Sequence, residues 1–133
     1  MGCDNVYWAE MRQTLIEEDF DNHRTVEQYR ISFENSAKVC IAYDDERIIG
    51  TVRALSDGVC NAYIVDVWTY SPYRKQGIAR EMMNRVLDEL QGQHVYLFTD
   101  DAVDFYKKLD FAPQDVGMGK VVGQWLQNES RDA

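Results

Sequence analysis

Between Tyr70 and Arg80 the chain reads YSPYRKQGIAR, and these residue types favour one kind of chemistry, the capture of an anion. Gly77 and Ala79 carry little bulk, so successive backbone N–H groups are left accessible where a helix begins. Those N–H groups and the positive end of the helix dipole make an anion site, for which a pyrophosphate is the usual guest. Arg74, Lys75 and Arg80 concentrate positive charge around the same turn. The chain as a whole is acidic, with a formal net charge of -9. Phosphate binding accounts for a basic knot in such a chain. Taken alone, R-x-x-G-x-A also fits an ordinary strand-to-helix turn. The turn has no G-x-x-x-x-G-K-[ST], so nucleoside triphosphate hydrolysis has no support, and no G-x-G-x-x-G, so the dinucleotide fingerprint is missing too.

The flanking segments must position this turn. After it, the spacing predicts a helix from about Gly77 to Gln91, with Ile78, Ala79, Met82, Met83, Val86, Leu87 and Leu90 as its buried stripe. Glu81 and Arg85 can pair on its outer face, and Gly92 suits its end. Before it, Asn61 to Thr69 reads as a strand. Alternation puts Tyr63, Val65 and Val67 on one face and Ile64 and Trp68 on the other, beside Asp66. Both faces are largely apolar, which predicts a central strand covered on both sides. Upstream, Val39–Tyr43 and Arg47–Ala54 around Asp44-Asp45-Glu46 predict a β-hairpin. The first forty residues read as helical, with a capping box at Thr25 to Gln28. Glu17, Glu18, Asp19 and Asp21 read as a solvated helix end. Downstream, Val95–Phe98 reads as a strand. Asp100 or Asp101 then caps a short helix holding Ala102, Val103, Phe105, Tyr106 and Leu109, and a weak strand, Val121 to Leu126, must bury Trp125. The result is an α/β fold with a mixed sheet.

Bulk properties narrow the partners. At 133 residues the chain is expected to be one domain over 1–133, and 45% apolar with 28% charged residues suits a globular protein. The acidic balance disfavours nucleic acid and attracts cationic small molecules such as amines. Cys3, Cys40 and Cys60 show no C-x-x-C spacing, which predicts free thiols in a reduced cytoplasm, with Cys40 and Cys60 as small buried hydrophobes. No apolar run reaches membrane-spanning length, the N-terminus lacks a signal-peptide plan, and Met1-Gly2-Cys3 does not complete an acylation motif because Val6 stands where Ser or Thr is wanted. His23 and His94 have no partners at metal spacing, so no metal is expected.

About thirty residues past the basic turn comes Asp104-Phe105-Tyr106-Lys107-Lys108-Leu109-Asp110-Phe111. Here the chain resembles the GNAT superfamily of acyl-CoA-dependent N-acyltransferases. Arg74-Lys75-Gln76-Gly77-Ile78-Ala79 is similar to that superfamily's [RQ]-x-x-G-x-[GA] motif, and Phe105 to Phe111 to its F-Y-x-K-x-G-F segment. Arg53 to Gly58 followed by Asp66-Val67 resembles small single-domain members of the chloroplast and cyanobacterial type that acetylate serotonin-like arylalkylamines. The sequence departs from the pattern at Ser71, where Pro is usual, and at Asp110, where Gly is usual, which predicts a differently shaped loop there. Ala79 replaces the second glycine. The resemblance implies a mixed, mostly antiparallel sheet flanked by helices, and acetyl-CoA as donor with no metal. Its pyrophosphate is expected on the amides of Gln76, Gly77, Ile78, Ala79 and Arg80 beside Arg74 and Lys75. Its pantetheine arm is expected along Val67, Trp68 and Thr69 as an added strand.

Aminolysis of a thioester needs a neutral amine, a donor for the carbonyl oxygen, and a proton for the departing thiolate. A main-chain N–H of the central strand suits the second need. Asp66, flanked by Ile64 and Trp68, is a candidate base whose pKa desolvation should raise; a structural acid bonded to a neighbouring loop is the equal alternative. Tyr106 is a candidate acid, because a phenol keeps its proton at neutral pH, and by residue type it also fits a core aromatic. Arg53 and Asp57 are candidate substrate contacts, with a plain β-turn role equally open for Asp57. Tyr70, with Trp68, is a candidate wall for an aryl group. The expected activity is acetyl transfer to a small primary amine. A non-catalytic acyl-CoA sensor and a domain for another phosphorylated ligand are the alternatives. A monomer or a homodimer paired through a sheet edge is expected.

Overall fold

A computed structural model describes residues 6–114 and 116–126. Two helices come first, α1 (Trp8–Glu17) and α2 (Val26–Glu34), then β1 (Lys38–Asp44), β2 (Arg47–Ser56) and β3 (Asn61–Thr69). A single 3-10 turn at Ser71–Tyr73 leads to α3 (Ile78–Asp88), β4 (His94–Tyr96) and α4 (Val103–Lys107). The strands lie in sequence order. β1, β2 and β3 pair antiparallel, and β3 pairs parallel with β4 across the α3 crossover. This is the mixed, mostly antiparallel α/β sheet that the sequence predicts.

Local chemistry explains the elements. The capping box forms as expected: the Gln28 N–H donates to Thr25 Oγ1 and the Thr25 N–H donates to Gln28 Oε1. α3 buries Met82, Met83 and Val86, with Leu90 just past its end, against Val52, Ala54, Ala62 and Ile64 on one sheet face. Gly50 admits this helix, since a Cβ there would stand 2.7 Å from Met82 Cε. α1 and α2 cover the other face through Met11, Leu15, Tyr29 and Phe33, packed on Val39, Ile48 and Trp68. Arg85 donates to Glu81 on the outer face of α3.

Several expectations change. The register of β3 slips between Val65 and Trp68, where two residues face the single Val52 of β2. This bulge reverses the alternation, so Ile64 belongs to the α3 core and Trp68 to the α1/α2 core, on opposite faces. The cover is incomplete, because Tyr63 is exposed. β4 stops at Tyr96, leaving Leu97 and Phe98 outside the ladder. Neither Asp100 nor Asp101 caps α4; the Thr99 hydroxyl accepts the Ala102 N–H instead. Val121 to Leu126 forms no strand, and Trp125 is 56% exposed, its indole N–H donating to the Asn22 carbonyl. Cys60 is exposed where a buried hydrophobe was expected, whereas Cys40 is buried and its thiol pKa raised by that burial. Cys3 lies outside the described residues. Asp110 takes the left-handed conformation a glycine would, at φ 69°, and closes α4 with Phe111 N–H donating to Tyr106 O and Asp110 N–H to Lys107 O. The loop therefore keeps the glycine-type shape. Among the described residues no helix is long and apolar enough to cross a membrane, and no group of three or more His, Cys, Asp or Glu side chains is placed to hold a metal.

Candidate functional site

The basic turn is built by backbone conformation. Pro72 sits in the 3-10 turn, Lys75 is left-handed at φ 64°, and Gly77 is left-handed at φ 82° as the N-cap of α3. Nothing lies within 4 Å of where a Gly77 Cβ would be, and Arg74 to Gly77 are all exposed. Among the described residues no backbone carbonyl accepts from the N–H groups of Gln76 to Arg80, and the first closed bond of the helix is Glu81 N–H to Gly77 O. The turn thus presents a row of free donors at a positive helix end, with Lys75 and Arg80 beside it. Arg74 is turned away: its Nε donates to the Thr69 carbonyl at 3.0 Å and its guanidinium lies 3.4 Å from Glu18.

Glu18, which the sequence places at a solvated helix end, anchors this turn. Its carboxylate accepts from the Ser71 N–H at 2.7 Å and from the Ser71 hydroxyl. Partial burial pushes its pKa up, but the Ser71 bonds, the Arg74 charge and the nearby Trp68 indole N–H hold it below the usual value. That indole N–H is buried and reaches hydrogen-bond geometry with no described group. Asp21, from the same cluster, is buried as well.

The edge of β3 beside the turn is open. β4 pairs only with Asn61, Ala62 and Tyr63, so from Ile64 to Thr69 the strand has no ladder partner on that side among the described residues. Val67, Trp68 and Thr69 lie in this stretch. The Thr69 carbonyl is already engaged by Arg74.

Asp66 takes the arrangement of the equal alternative, a structural acid bonded to a neighbouring loop, and its pKa moves against expectation. It is left-handed at φ 56° within the bulge and only 8% exposed. Arg24 grips it in bidentate fashion, Nη1 to Oδ2 at 2.8 Å and Nη2 to Oδ1 at 3.0 Å, and Arg53 Nε donates to Oδ2 at 2.6 Å. Burial alone would raise its pKa, as expected from the sequence. The bonds and charges of Arg24 and Arg53 overrule it, and the carboxyl is held below its ordinary value. A carboxylate so engaged is a poor proton acceptor. Arg53, expected at the substrate mouth, is spent here: it also donates to Ser36 Oγ at 3.3 Å and lies over the Phe33 ring. Arg24 carried no local signal, because its partner is 42 residues away.

Asp57 takes the plain turn role. Its Oδ1 accepts from the N–H groups of Val59, Cys60 and Asn61, and those bonds lower its pKa. It precedes β3, whereas Tyr70 follows it, and nine residues of strand separate the two ends by about 30 Å. Asp57 and Tyr70 therefore cannot line one small pocket. Tyr70 does join an aromatic group, 6.2 Å from both Trp68 and Tyr73, with Arg47 over its ring at 4.5 Å.

Tyr106 serves both readings. Its ring packs edge-on against Phe105 and Phe111 in the α3 core, and burial raises its pKa, helped by the charge of Asp101. It also lines a groove of about 770 Å³ formed by β4, α4, Phe111 to Gln114 and Gly117, which none of Arg74 to Arg80 touches.

Open strand edge, bulge and donor-rich turn in this order define the class of fold, and the comparisons agree. The chain belongs to the acetyltransferase (GNAT) family, whose model matches residues 3–111. It is 27% identical over 124 residues to an uncharacterized N-acetyltransferase, ycf52, from Gracilaria tenuistipitata var. liui, covering 87% of this chain and 61% of that protein. The chain thus spans about three-fifths of the length of that relative. A GNAT-family acetyltransferase from Streptococcus pneumoniae superposes with a TM-score of 0.75 at 19% identity, over 92% of this chain and 96% of the other. Naa50 of Arabidopsis thaliana, in complex with a bisubstrate analogue CoA-Ac-MVNAL, gives a TM-score of 0.51 at 28% identity over 58% of each chain.

Proposed function

We propose that the protein transfers acetyl from acetyl-CoA to a primary amine, by direct attack of the amine on the thioester. One observation carries this reading: a row of unbonded main-chain donors at the start of α3 adjoins a β3 edge with no strand beside it. The donor set fits the cofactor, since the amides of Gln76 to Arg80 suit a pyrophosphate and the space at Gly77 admits one. The free edge of Val67 to Thr69 suits a pantetheine arm, which carries amides of its own and can add as a strand. Bound acetyl-CoA supplies the activated acyl group. Naa50, whose solved complex contains a CoA conjugate, supports this choice of donor.

The chain's part is to orient and to handle protons. Asp66 and Val67 have no register partner in the β2 ladder, and we assign the Val67 N–H as donor to the thioester oxygen. Tyr106, protonated at neutral pH, is assigned as the proton source for the departing thiolate, and the proton shed by the attacking nitrogen restores the phenol, so CoA leaves as the thiol. The acceptor is a small arylalkylamine or polyamine: the net charge of -9 draws in cations, and Tyr70 with Tyr73 offers an aromatic wall. We place the protein in the cytoplasm, as a monomer or homodimer.

Amine-dependent release of CoA thiol, measured over a panel of amines and several pH values, tests the proposal. Release with an arylalkylamine or polyamine is expected; none with any amine overturns it. One observation favours a second reading, an acyl-CoA-binding module without turnover: the carboxylate best placed to be a base is locked in ion pairs. Thermal stabilisation by acetyl-CoA without thiol release would select that reading. Within the first reading, Tyr106→Phe should lower kcat by about 10- to 100-fold with little change in acetyl-CoA affinity. Unchanged turnover would remove Tyr106 from the mechanism.

A further inference from the structure

Asp66 is a left-handed, non-glycine residue in the middle of a strand, and every part of its surroundings holds it so. Its carboxylate is taken on both oxygens by Arg24 and again by Arg53. Its carbonyl accepts the buried Thr51 hydroxyl at 2.8 Å. Both arginines are themselves fixed: Arg24 lies 4.2 Å over the Tyr29 ring and donates through Nε to the Asp21 carbonyl, and Arg53 lies over Phe33 and reaches Ser36. A backbone conformation that an L-residue adopts only at a cost persists where its neighbours over-determine it, and such positions cluster at functional sites. The residue held this way immediately precedes Val67, on the open edge of β3.

We propose that Arg24, Asp66 and Arg53 form a positioning clamp that fixes the β3 bulge, and so aims the Val67 main-chain N–H, while tying that aim to the loop between α1 and α2. Asp66 is then a positioning residue, and its charge is used inside the protein. This rests on the acyl-transfer reading. The link to the α1–α2 loop is direct, since Arg24 lies in that loop, which also contains left-handed Asp19, Asn22 and His23. Whatever moves the loop moves the guanidinium that holds the bulge.

Asp66→Asn keeps the side-chain shape and removes the charge. It should lower kcat for CoA release by about 10- to 100-fold, the scale of a small misplacement of reacting groups. The KM for acetyl-CoA, and CoA affinity measured separately by calorimetry, should stay within about threefold, because the α3 turn is untouched. The pH profile should keep its shape at a lower plateau, since no titrating base has been removed. The backbone amide resonance of Val67, followed by NMR, should shift or broaden as the bulge loosens. If Asp66→Asn does not fold, Arg53→Gln leaves the bidentate pair in place and should give the same split at smaller size. Unchanged kcat in the folded variants overturns the clamp. So does loss of one limb of the pH profile, which would make Asp66 the base. The unmodified protein separates the two failures: no activity there defeats acyl transfer itself, whereas an active wild type with equally active variants defeats only the clamp.

Discussion

Two charged centres lie a few residues apart along the chain, and they are built in opposite ways. At the start of α3, Lys75 and Arg80 stand beside exposed amides whose donors find no acceptor among the described residues. At Asp66 each carboxylate oxygen is met by a guanidinium and the group is almost wholly buried. The first centre has capacity left over, so its charge is available to a ligand. The second has none left over, because both carboxylate oxygens are already taken by arginines. An exposed, unsatisfied cluster and a buried, satisfied one differ in function even where composition is similar, because only the first gains by binding something from outside.

The largest way to break this contrast is to unbalance the buried centre. Arg24→Met leaves Asp66 buried with Arg53 alone and should destabilise the fold by about 3–5 kcal/mol, read as a lowered urea midpoint at pH 7. The sign with pH follows from the lowered Asp66 pKa. Its stabilising contribution is complete above the unfolded carboxyl value and is lost as pH falls through the lower folded one. The wild type should therefore lose this part of its stability progressively once pH falls below the unfolded carboxyl value. The variant lacks most of that contribution, so its deficit against the wild type should be largest near neutral pH and should shrink as pH falls, seen in denaturation curves from pH 6 to pH 2. A variant as stable as the wild type across that range would show that the clamp holds nothing.

Next in size is Gly77→Val at the exposed centre. A β-branched residue at φ 82° is strained even though its Cβ meets nothing, so the turn should reshape at a cost of about 1–2 kcal/mol. CoA affinity, measured by calorimetry, should fall at least about tenfold, since a bidentate or better set of anion contacts is lost. A folded variant with unchanged affinity would move the pyrophosphate elsewhere.

These two centres also mark what the sequence discloses. The turn is written in contiguous residues: Gly77 after a basic run, then a helical stripe from Ile78 to Leu90. The capping box at Thr25 and Gln28 is as local, and it forms as read. The clamp is not local. Arg24, Arg53 and Asp66 come from a loop and two strands, and nothing near Arg24 marks it as the partner of an acid 42 residues on. The bulge is hidden for a related reason. Val65, Asp66 and Val67 keep a clean period of two, and only the pairing with β2 reveals the extra residue that sends Ile64 and Trp68 to opposite faces. The apolar neighbours that desolvate Asp66 are adjacent in sequence, whereas the two cations that reverse their effect are not. At the C-terminal end, Val121 and Val122 have strand propensity, but left-handed Gly123 and Leu126 bend the segment out of extended form. Propensity alone does not make a strand without a neighbour.

The smallest effects separate the cations of the turn from one another. Lys75 and Arg80 are exposed and stand beside the free amides. Each should contribute to a bound anion only through partly screened attraction, so Lys75→Ala or Arg80→Ala should weaken CoA by about two- to fivefold, less at high salt. Arg74 belongs to the same motif but faces the other way, with its guanidinium bonded to the Thr69 carbonyl and paired with Glu18. Arg74→Ala should therefore change CoA affinity less than either of the others, and its salt dependence should match the wild type. What it should change is the seat of the turn, since Glu18 would keep Ser71 but lose its cation, and the Thr69 carbonyl would lose its donor. Calorimetry at low and high salt on all three variants checks this ordering. If Arg74→Ala weakens CoA most, its guanidinium swings out to the ligand on binding, and one charge in this protein changes sides from holding the fold to holding the guest.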